Sequence, residues 1–215
     1  MSEPGAAQPP STVIFDLGGV LIDWDPRYLY RKLLSSEDEV ERFLAEVCTP
    51  AWNARQDAGR TWAEAVAELT AKHPDHAELI AAFDKRWGET IGGAIPGTVE
   101  ILRRLRDRGV RLLALTNWSA EKFDLTFPRF EWLSWFEGIV VSGRERLVKP
   151  DPQLFQILLD RYDVEPDEAV YIDDVHHNVE AAAGFGLTAL LFTGPEKLSA
   201  ELAALGLPAE LSDSS

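Results

Sequence analysis

The chain has 215 residues, 46% of them hydrophobic, which is enough for one large domain or a core with a smaller inserted unit. Its 36 acidic and 21 basic residues give a formal net charge of -15, so most of the surface would repel nucleic acid. An anionic substrate would then have to be held by local cations, a metal or backbone N–H groups. The single Cys48 excludes an internal disulfide and fits a reducing compartment.

The two ends of the sequence carry no sign of folded structure. The opening stretch MSEPGAAQPP has neither the basic nor the apolar region of a signal peptide, and no apolar run reaches the roughly 18 residues that a membrane span requires. We therefore expect a disordered tail over 1–11, a flexible tail over 208–215 and a cytoplasmic protein without a membrane partner.

The first predicted elements are one strand and then a long helical segment. Residues 12–17 form an apolar, β-branched run that is typical of a buried strand. Helix signals follow one another after it, among them Thr61-x-x-Glu64, which has the pattern of a capping box. No convincing strand interrupts them, so 25–91 is predicted to be an all-helical insert.

Strands and helices alternate through the rest of the chain. The predicted strands lie at 110–115, 138–142, 169–172 and 187–192. The predicted helices lie near 97–108, at 151–162, after Asp174 as far as Ala183, and near 196–205. Such alternation implies right-handed crossovers and a parallel sheet. The predicted fold is therefore α/β, a Rossmann-like core of 12–24 and 92–207 with 25–91 inserted as a helical cap.

Polar residues follow three of the predicted strands where each strand ends. They are Asp16, the pair Thr116-Asn117, and the pair Asp173-Asp174. Because the carboxyl ends of parallel strands meet at one edge of the sheet, these side chains are expected to lie close together. Carboxylates so close would repel one another unless a cation intervened, and all-oxygen ligands suit a hard ion such as Mg²⁺.

Four stretches of the sequence carry a family resemblance that spans nearly the whole chain. They are DLGGVL at 16–21, LTN at 115–117, Lys149 in VKPDP, and YIDDVHHNVEAAAGFGL at 171–187. Together and in this order, they resemble the four motifs of the haloacid dehalogenase-like hydrolases. The helical segment after the first strand resembles the small cap of that family's phosphatase branch.

The resemblance implies a Mg²⁺-dependent phosphoric-monoester hydrolase that acts on a small metabolite such as a sugar phosphate. Asp16 would attack phosphorus and form an aspartyl-phosphate, and Lys149 would neutralise the charge on nucleophile and phosphate. The phosphate-binding residues that the resemblance implies are Thr116, Asn117, Lys149, Gly18 and Gly19. The protein is expected to be a monomer or homodimer.

The resemblance also implies a metal site and its surroundings. Mg²⁺ would be held by the side chains of Asp16 and Asp174 and by the backbone carbonyl of Gly18, with Asp173 as a further or water-mediated ligand. Three more residues are candidates for the second shell or for substrate contact: Asn178, Trp24 and Trp118. Arg55 and Arg60 are weaker candidates for substrate contact, since arginines at such positions are more often solvated.

Gly18 departs from the family pattern. The family's phosphatases usually have a second aspartate there, which protonates the leaving oxygen and later activates water. A positioned general acid accelerates such a step about 10²–10⁴-fold, so without it the rate would depend steeply on the leaving-group pKa. Asp23 and Asp25 are the candidates to replace it, although Asp25 also fits an N-cap and Asp23 the connection into the insert.

Two other functions are compatible with the motifs. A 2-haloacid dehalogenase would use Asp16 to displace halide from carbon without a metal. Asp173 and Asp174 oppose that function, because two further carboxylates would repel both Asp16 and a carboxylate substrate. A non-catalytic member that binds a ligand or partner is the second alternative, to which the seven tryptophans of the chain would contribute anchors.

Overall fold

The computed structural model of the protein describes residues 9–209 and Leu211. The tails predicted at the two ends lie mostly outside the described residues. Within them, the chain near the second tail is anchored, because the Ser199 hydroxyl donates to the Ala209 carbonyl at 2.8 Å and accepts from the Leu211 N–H at 3.0 Å. Over the same described residues, no helix combines the length and apolar character needed to cross a bilayer.

A five-stranded parallel sheet forms the core and confirms the predicted α/β class. Its strands are β1 (Thr12–Phe15), β4 (Arg111–Thr116), β5 (Gly138–Val141), β6 (Ala169–Asp173) and β7 (Thr188–Leu191), in the spatial order β5-β4-β1-β6-β7. The order reverses at β1, which lies between β4 and β6. In sheets of this kind, such a switch point opens a crevice for a ligand at the carboxyl ends of the strands.

The helices fall into two groups. Those of the core are α6 (Pro96–Asp107), α7 (Ala120–Thr126), α8 (Ser142–Glu145), α9 (Pro152–Tyr162), α10 (His176–Gly184) and α11 (Pro195–Ala204). Those between the first strand and α6 are α1 (Arg27–Tyr30), α2 (Glu37–Glu46), α3 (Pro50–Asp57), α4 (Trp62–Lys72) and α5 (Ala77–Lys85), and we call this group the helical insert. The capping box predicted at Thr61 and Glu64 starts α4.

A short antiparallel strand pair at the base of the helical insert was not predicted. It consists of β2 (Ile22–Trp24) and β3 (Ile91–Ala94), with Asp23 opposite Gly93. Each strand is too short for a period-two pattern, and two glycines in IGGA disfavour a strand by propensity. The pair brings the two ends of the helical insert together above the core.

Aromatic side chains form the interior of the helical insert. Trp62 lies 5.5 Å from Phe83 and 5.2 Å from Trp87, ring centroid to ring centroid, and Trp52 packs edge-on against Trp62. All four are buried, and burial of rings of this size is a large source of hydrophobic stabilisation. The interior of the helical insert is continuous with the apolar core of the sheet.

The helical insert contacts the core through polar groups near the end of β4. The Trp62 indole N–H donates to the Ser119 hydroxyl at 2.9 Å, and the Ser142 hydroxyl donates to the carbonyl of Asp57 at 2.7 Å. The buried Lys122 ammonium donates to the Asp84 carbonyl at 2.9 Å and to the Asp84 carboxylate. These contacts fix the last turn of α3 beside the carboxyl edge of the sheet.

Candidate active site

Asp16 directly follows β1 at the centre of the sheet. Its backbone N–H donates to the Ile172 carbonyl of β6 at 2.8 Å, which continues the strand pairing by one residue. Its side-chain Oδ1 accepts from the Leu17 N–H at 2.7 Å, so the carboxylate turns back over the strand end. Burial, only partly offset by Lys149, raises the pKa of Asp16 to about 7, and the nearby Asp173 adds to that rise.

Lys149 is buried at the same edge and joins two carboxylates. Its ammonium lies 2.8 Å from Asp16 Oδ2 and 2.7 Å from Asp173 Oδ2, and it donates to the Leu115 carbonyl at 3.0 Å. Burial alone would lower the pKa of Lys149, but the two carboxylates outweigh it and raise that pKa. Lys149 therefore presents a fixed positive charge beside Asp16.

Asp173 is surrounded by hydrogen-bond donors. Its Oδ2 accepts from the Tyr171 hydroxyl at 2.5 Å, and its Oδ1 accepts from the Val175 N–H at 2.8 Å and the Asn178 amide at 3.1 Å. Burial opposes the charged form, but Lys149 and these donors lower the pKa of Asp173. Asn178, a predicted candidate for the second shell or for substrate contact, thus contacts Asp173, and a metal would share Asp173 with Lys149.

Three carboxylates at this edge could hold a metal ion. One oxygen each from Asp16, Asp173 and Asp174 lies within 4.8 Å of the other two. Asp174 is exposed as a residue, and its carboxylate accepts no side-chain or backbone hydrogen bond from another described residue. Partial desolvation of the carboxylate by its neighbours and the charge of Asp173 raise its pKa. An oxygen-rich site with a free carboxylate fits a hard divalent cation such as Mg²⁺.

The two glycines after the nucleophile play different parts. Gly19 has a φ of 73°, and a Cβ built on it would lie 2.2 Å from Asp174 Oδ2, so both the backbone and the neighbouring carboxylate require glycine. A Cβ built on Gly18 would have nothing within 4 Å among the described residues. The space above Gly18 is therefore open, and a side chain would fit there.

Thr116 and Asn117 lie next to Lys149, as the motifs predict. The Thr116 hydroxyl is buried and has no hydrogen-bond partner among the described residues, so it is free to bind an oxygen of a ligand. The Asn117 side chain instead holds the backbone of Lys149, accepting from its N–H at 2.8 Å and donating to its carbonyl at 3.1 Å. Asn117 thus positions Lys149 through its side chain and could offer a ligand only its backbone N–H.

A cavity of about 60 Å³ opens from Gly18 between the core and the helical insert. Trp24 and Trp118, predicted to face a substrate, line it together with Asn53, Asp57, Trp87 and Asn117. The indole N–H groups of Trp24, Trp87 and Trp118 are buried without a partner in the described chain. A cavity with apolar walls and a few unpaired polar groups is the usual form of a small-molecule site.

The two predicted substitutes for the missing acid are bound elsewhere. Asp23 accepts from the Tyr28 hydroxyl at 2.8 Å, and Asp25 accepts at 2.9 Å from the N–H of Arg27, the first residue of α1. Arg55 and Arg60 both pair with Glu68. In the described part of the chain, the cavity lining includes none of these four predicted residues.

Sequence reasoning missed Asp57, Asn53 and Trp87 as lining residues of the cavity. Burial raises the pKa of Asp57 to about 7, with the Ser119 N–H acting against the rise and Asp16 adding to it. Nothing in the stretch WNARQD marks its last residue as different from an ordinary helix-end aspartate. Only the packing of α3 against α8 brings that residue to the carboxyl edge of the sheet.

Comparison with known proteins agrees with this geometry. A family model described as haloacid dehalogenase-like hydrolase matches residues 10–186. Acyl-CoA dehydrogenase family member 10 of Mus musculus is 33% identical over 93% of this chain, which spans only 19% of that protein. The phosphorylated carbohydrates phosphatase of Thermotoga maritima is 24% identical, over 93% of this chain and 95% of that protein.

A solved structure has the same fold. A HAD family enzyme from Bacteroides thetaiotaomicron, in complex with magnesium and inorganic phosphate, superposes with a TM-score of 0.67. The match covers 86% of this chain and 95% of that one at 19% sequence identity. At this identity the likeness establishes the fold alone.

Proposed function

The chain belongs to the haloacid dehalogenase-like hydrolases, and from that premise we propose that it is a Mg²⁺-dependent phosphoric-monoester hydrolase. The observation that carries the proposal is the placement of Asp16 at the switch point of the sheet, 2.8 Å from the buried ammonium of Lys149. A nucleophilic carboxylate beside a fixed cation is suited to an anionic substrate, even in a chain with a net charge of -15. The same proposal makes the helical insert the cap of the site.

Each residue of the site would have a distinct part in the reaction. Asp16 attacks phosphorus and forms the aspartyl-phosphate, while Lys149 neutralises charge on the nucleophile and on a phosphoryl oxygen. The unpaired Thr116 hydroxyl would bind a second phosphoryl oxygen. When Mg²⁺ is bound by Asp16, Asp174 and the Gly18 carbonyl, it would stabilise the negative charge that develops on the phosphoryl group.

The cavity favours a small substrate such as a sugar phosphate. Its volume of about 60 Å³ is far below the roughly 300–1,000 Å³ of a site for a drug-sized ligand, so the cavity would admit only a compact leaving group. The three unpaired indole N–H groups of its lining could donate to hydroxyl oxygens, and the indole faces can pack on the apolar face of a sugar ring. The relative named as a phosphatase of phosphorylated carbohydrates agrees with this substrate class.

A 2-haloacid dehalogenase is the competing function within the family. Asp173 and Asp174 weigh against it, because their carboxylates lie within 4.8 Å of Asp16 and would repel a carboxylate substrate. A dehalogenase would release inorganic halide from 2-haloacids in the presence of a strong chelator. The phosphatase predicts no such release.

The proposal is tested by a screen of phosphorylated metabolites with the purified full chain and Mg²⁺. The panel should contain sugar phosphates, short acyl and alkyl phosphates and, as a contrast in size, a prenyl phosphate. We expect release of inorganic phosphate from compact substrates and little from the prenyl compound. A folded protein that releases phosphate from no member of the panel would refute the proposal.

A further inference from the structure

The proposed reaction needs a proton donor that Gly18 does not provide. An alkoxide leaving group is too basic to depart unprotonated at a useful rate, and a general acid accelerates its departure by about 10²–10⁴-fold. The space above Gly18 is open, so the donor can come from another element that borders the cavity. Asp23 and Asp25 lie with their carboxylates engaged by Tyr28 and by the start of α1.

Asp57 is a carboxyl group of the helical insert that borders this space. It is the last residue of α3 and lines the same cavity as Gly18 and Trp118. Its Oδ2 accepts from the Asn53 amide at 3.2 Å, and its backbone carbonyl accepts from the Ser142 hydroxyl at 2.7 Å. The carboxyl is therefore held by a residue of the helical insert, and the backbone of Asp57 is held by the core.

The surroundings of Asp57 favour a carboxyl group that can both give and take a proton at neutral pH. Burial, with a smaller contribution from the negative charge of Asp16 and against the opposing Ser119 N–H, raises its pKa to about 7. Its hydrogen-bonding neighbours Asn53 and Ser142 are uncharged. Of the nearby cations, Arg60 pairs with Glu68, and the Arg146 side chain packs next to Gly59.

We propose that Asp57 is the general acid and base of the reaction, supplied by the helical insert in place of a side chain at position 18. This inference rests on the proposed phosphatase function and extends it. Geometry carries it, because Asp57 lines the cavity on the side of the helical insert while Gly18 and Asn117 line it from the core. A leaving group between them would lie between nucleophile and acid.

The two half-reactions balance with these groups alone. In the first, an Asp16 oxygen forms a bond to phosphorus, the bond from phosphorus to the leaving oxygen breaks, and Asp57 gives that oxygen its proton. In the second, the Asp57 carboxylate takes a proton from water as the water oxygen bonds to phosphorus. The bond between Asp16 and phosphorus then breaks, which releases inorganic phosphate and restores both groups.

A consequence is that the position of the proposed acid depends on the position of the helical insert. The contact of Ser142 with the Asp57 carbonyl and that of Trp62 with Ser119 hold α3 and α4 against the core. Removal of these contacts would take the proton donor away from the leaving group while Asp16 and Lys149 stay in place. Proton transfer would then depend on the position of the helical insert.

The test compares two esters in the wild type and in Asp57→Asn, with Mg²⁺ present. Asparagine keeps the shape of the side chain but cannot transfer a proton. For glycerol phosphate, a poor leaving group, we expect kcat/KM, which reports the half-reaction that expels the leaving group, to fall about 10²-fold or more. For p-nitrophenyl phosphate, whose leaving group needs no proton, we expect kcat/KM to fall less than about 10-fold, although kcat can fall for both esters because the base of the second half-reaction is lost as well. Asp75→Asn, at an exposed carboxyl of the helical insert, is the matched control and should leave both rates unchanged.

A second variant separates chemistry from misfolding. The open space at Gly18 admits a side chain, so Gly18→Asp in the Asp57→Asn background should restore turnover of glycerol phosphate. Equal losses of kcat/KM for both esters in Asp57→Asn, or no loss, would overturn the role of Asp57 as the acid while the phosphatase stands. If the wild type hydrolyses neither ester nor any member of the metabolite panel, the proposed function itself fails.

Discussion

The ammonium of Lys149 lies 2.7 Å from Asp173 Oδ2, and both groups are buried. Asp173 in turn accepts hydrogen bonds from Tyr171, Val175 and Asn178, so its position does not depend on any ligand. Lys149 is thereby held at the edge of the sheet whether or not Asp16 is charged. The position of Lys149 therefore does not depend on Asp16, the proposed nucleophile.

Asp16→Asn should abolish turnover and leave the fold intact. Burial disfavours the charged form of Asp16, and the neutral amide removes that cost, so the melting temperature should stay equal or rise. Phosphate release and thermal unfolding measure the two effects. Asp23→Asn is the control, since Asp23 accepts from Tyr28 outside the site and its loss should preserve turnover. Substantial turnover by Asp16→Asn would refute the nucleophile.

Asp173→Ala should destabilise the protein by about 3–5 kcal/mol, because it leaves the buried Lys149 ammonium with one fewer anion to pair with. Urea unfolding in the presence of a chelator measures this free energy without any contribution from bound metal. Glu137→Ala is the matched control, because Glu137 pairs with Arg111 at the surface and such pairs contribute about 0–1 kcal/mol. Equal losses in both variants would contradict a structural role for Asp173.

The sequence predicted the fold and the meeting of polar residues at one edge of the sheet because both follow local rules. Parallel strands with polar residues at their carboxyl ends place Asp16, Thr116 and Asp173 at the same edge whatever the details of packing, and the observed strand order puts β4 and β6 on either side of β1. The strands β2 and β3 escaped prediction, since four residues or fewer of mixed composition carry no periodic signal.

The lining of the cavity could not be predicted for a different reason. Asp57 and Asn53 reach it only because α3 ends against α8, and that contact is set by the tertiary packing of two separate parts of the chain. Trp87 belongs to two parts of the molecule at once. It contacts Trp62 and Phe83 in the interior of the helical insert, and it also lines the cavity.

Removal of metal should stop the reaction, and Mg²⁺ should restore it. The carboxylates of Asp16 and Asp174 lie close together at an edge where Lys149 already engages Asp16, which leaves Asp174 as the free ligand. Asp174→Asn should therefore weaken Mg²⁺ binding about 10-fold or more. The Mg²⁺ dependence of phosphate release after EDTA treatment measures this effect, with Asp167→Asn at an exposed site as the control. Turnover that survives EDTA would contradict a metal-dependent phosphatase.

Gly19→Ala and Gly18→Ala should differ sharply although the positions are adjacent. At Gly19 the φ of 73° costs an alanine about 1–2 kcal/mol, and the new methyl group would lie 2.2 Å from Asp174 Oδ2. We therefore expect Gly19→Ala to lower both the stability of the metal-free protein and its affinity for Mg²⁺.

At Gly18 the methyl group meets open space, and the backbone is not left-handed, so stability should be unchanged or rise by about 0.4–1 kcal/mol. Urea unfolding in EDTA measures the stability of each variant without metal. The rise of the melting temperature with added Mg²⁺ measures the affinity for Mg²⁺, since a ligand that binds only the folded state stabilises that state more the more tightly it binds. Equal stability and equal Mg²⁺ affinity of the two variants would contradict this prediction. They would show that Asp174 moves away from Gly19 at no cost, and that metal binding does not depend on the position of the Asp174 carboxylate.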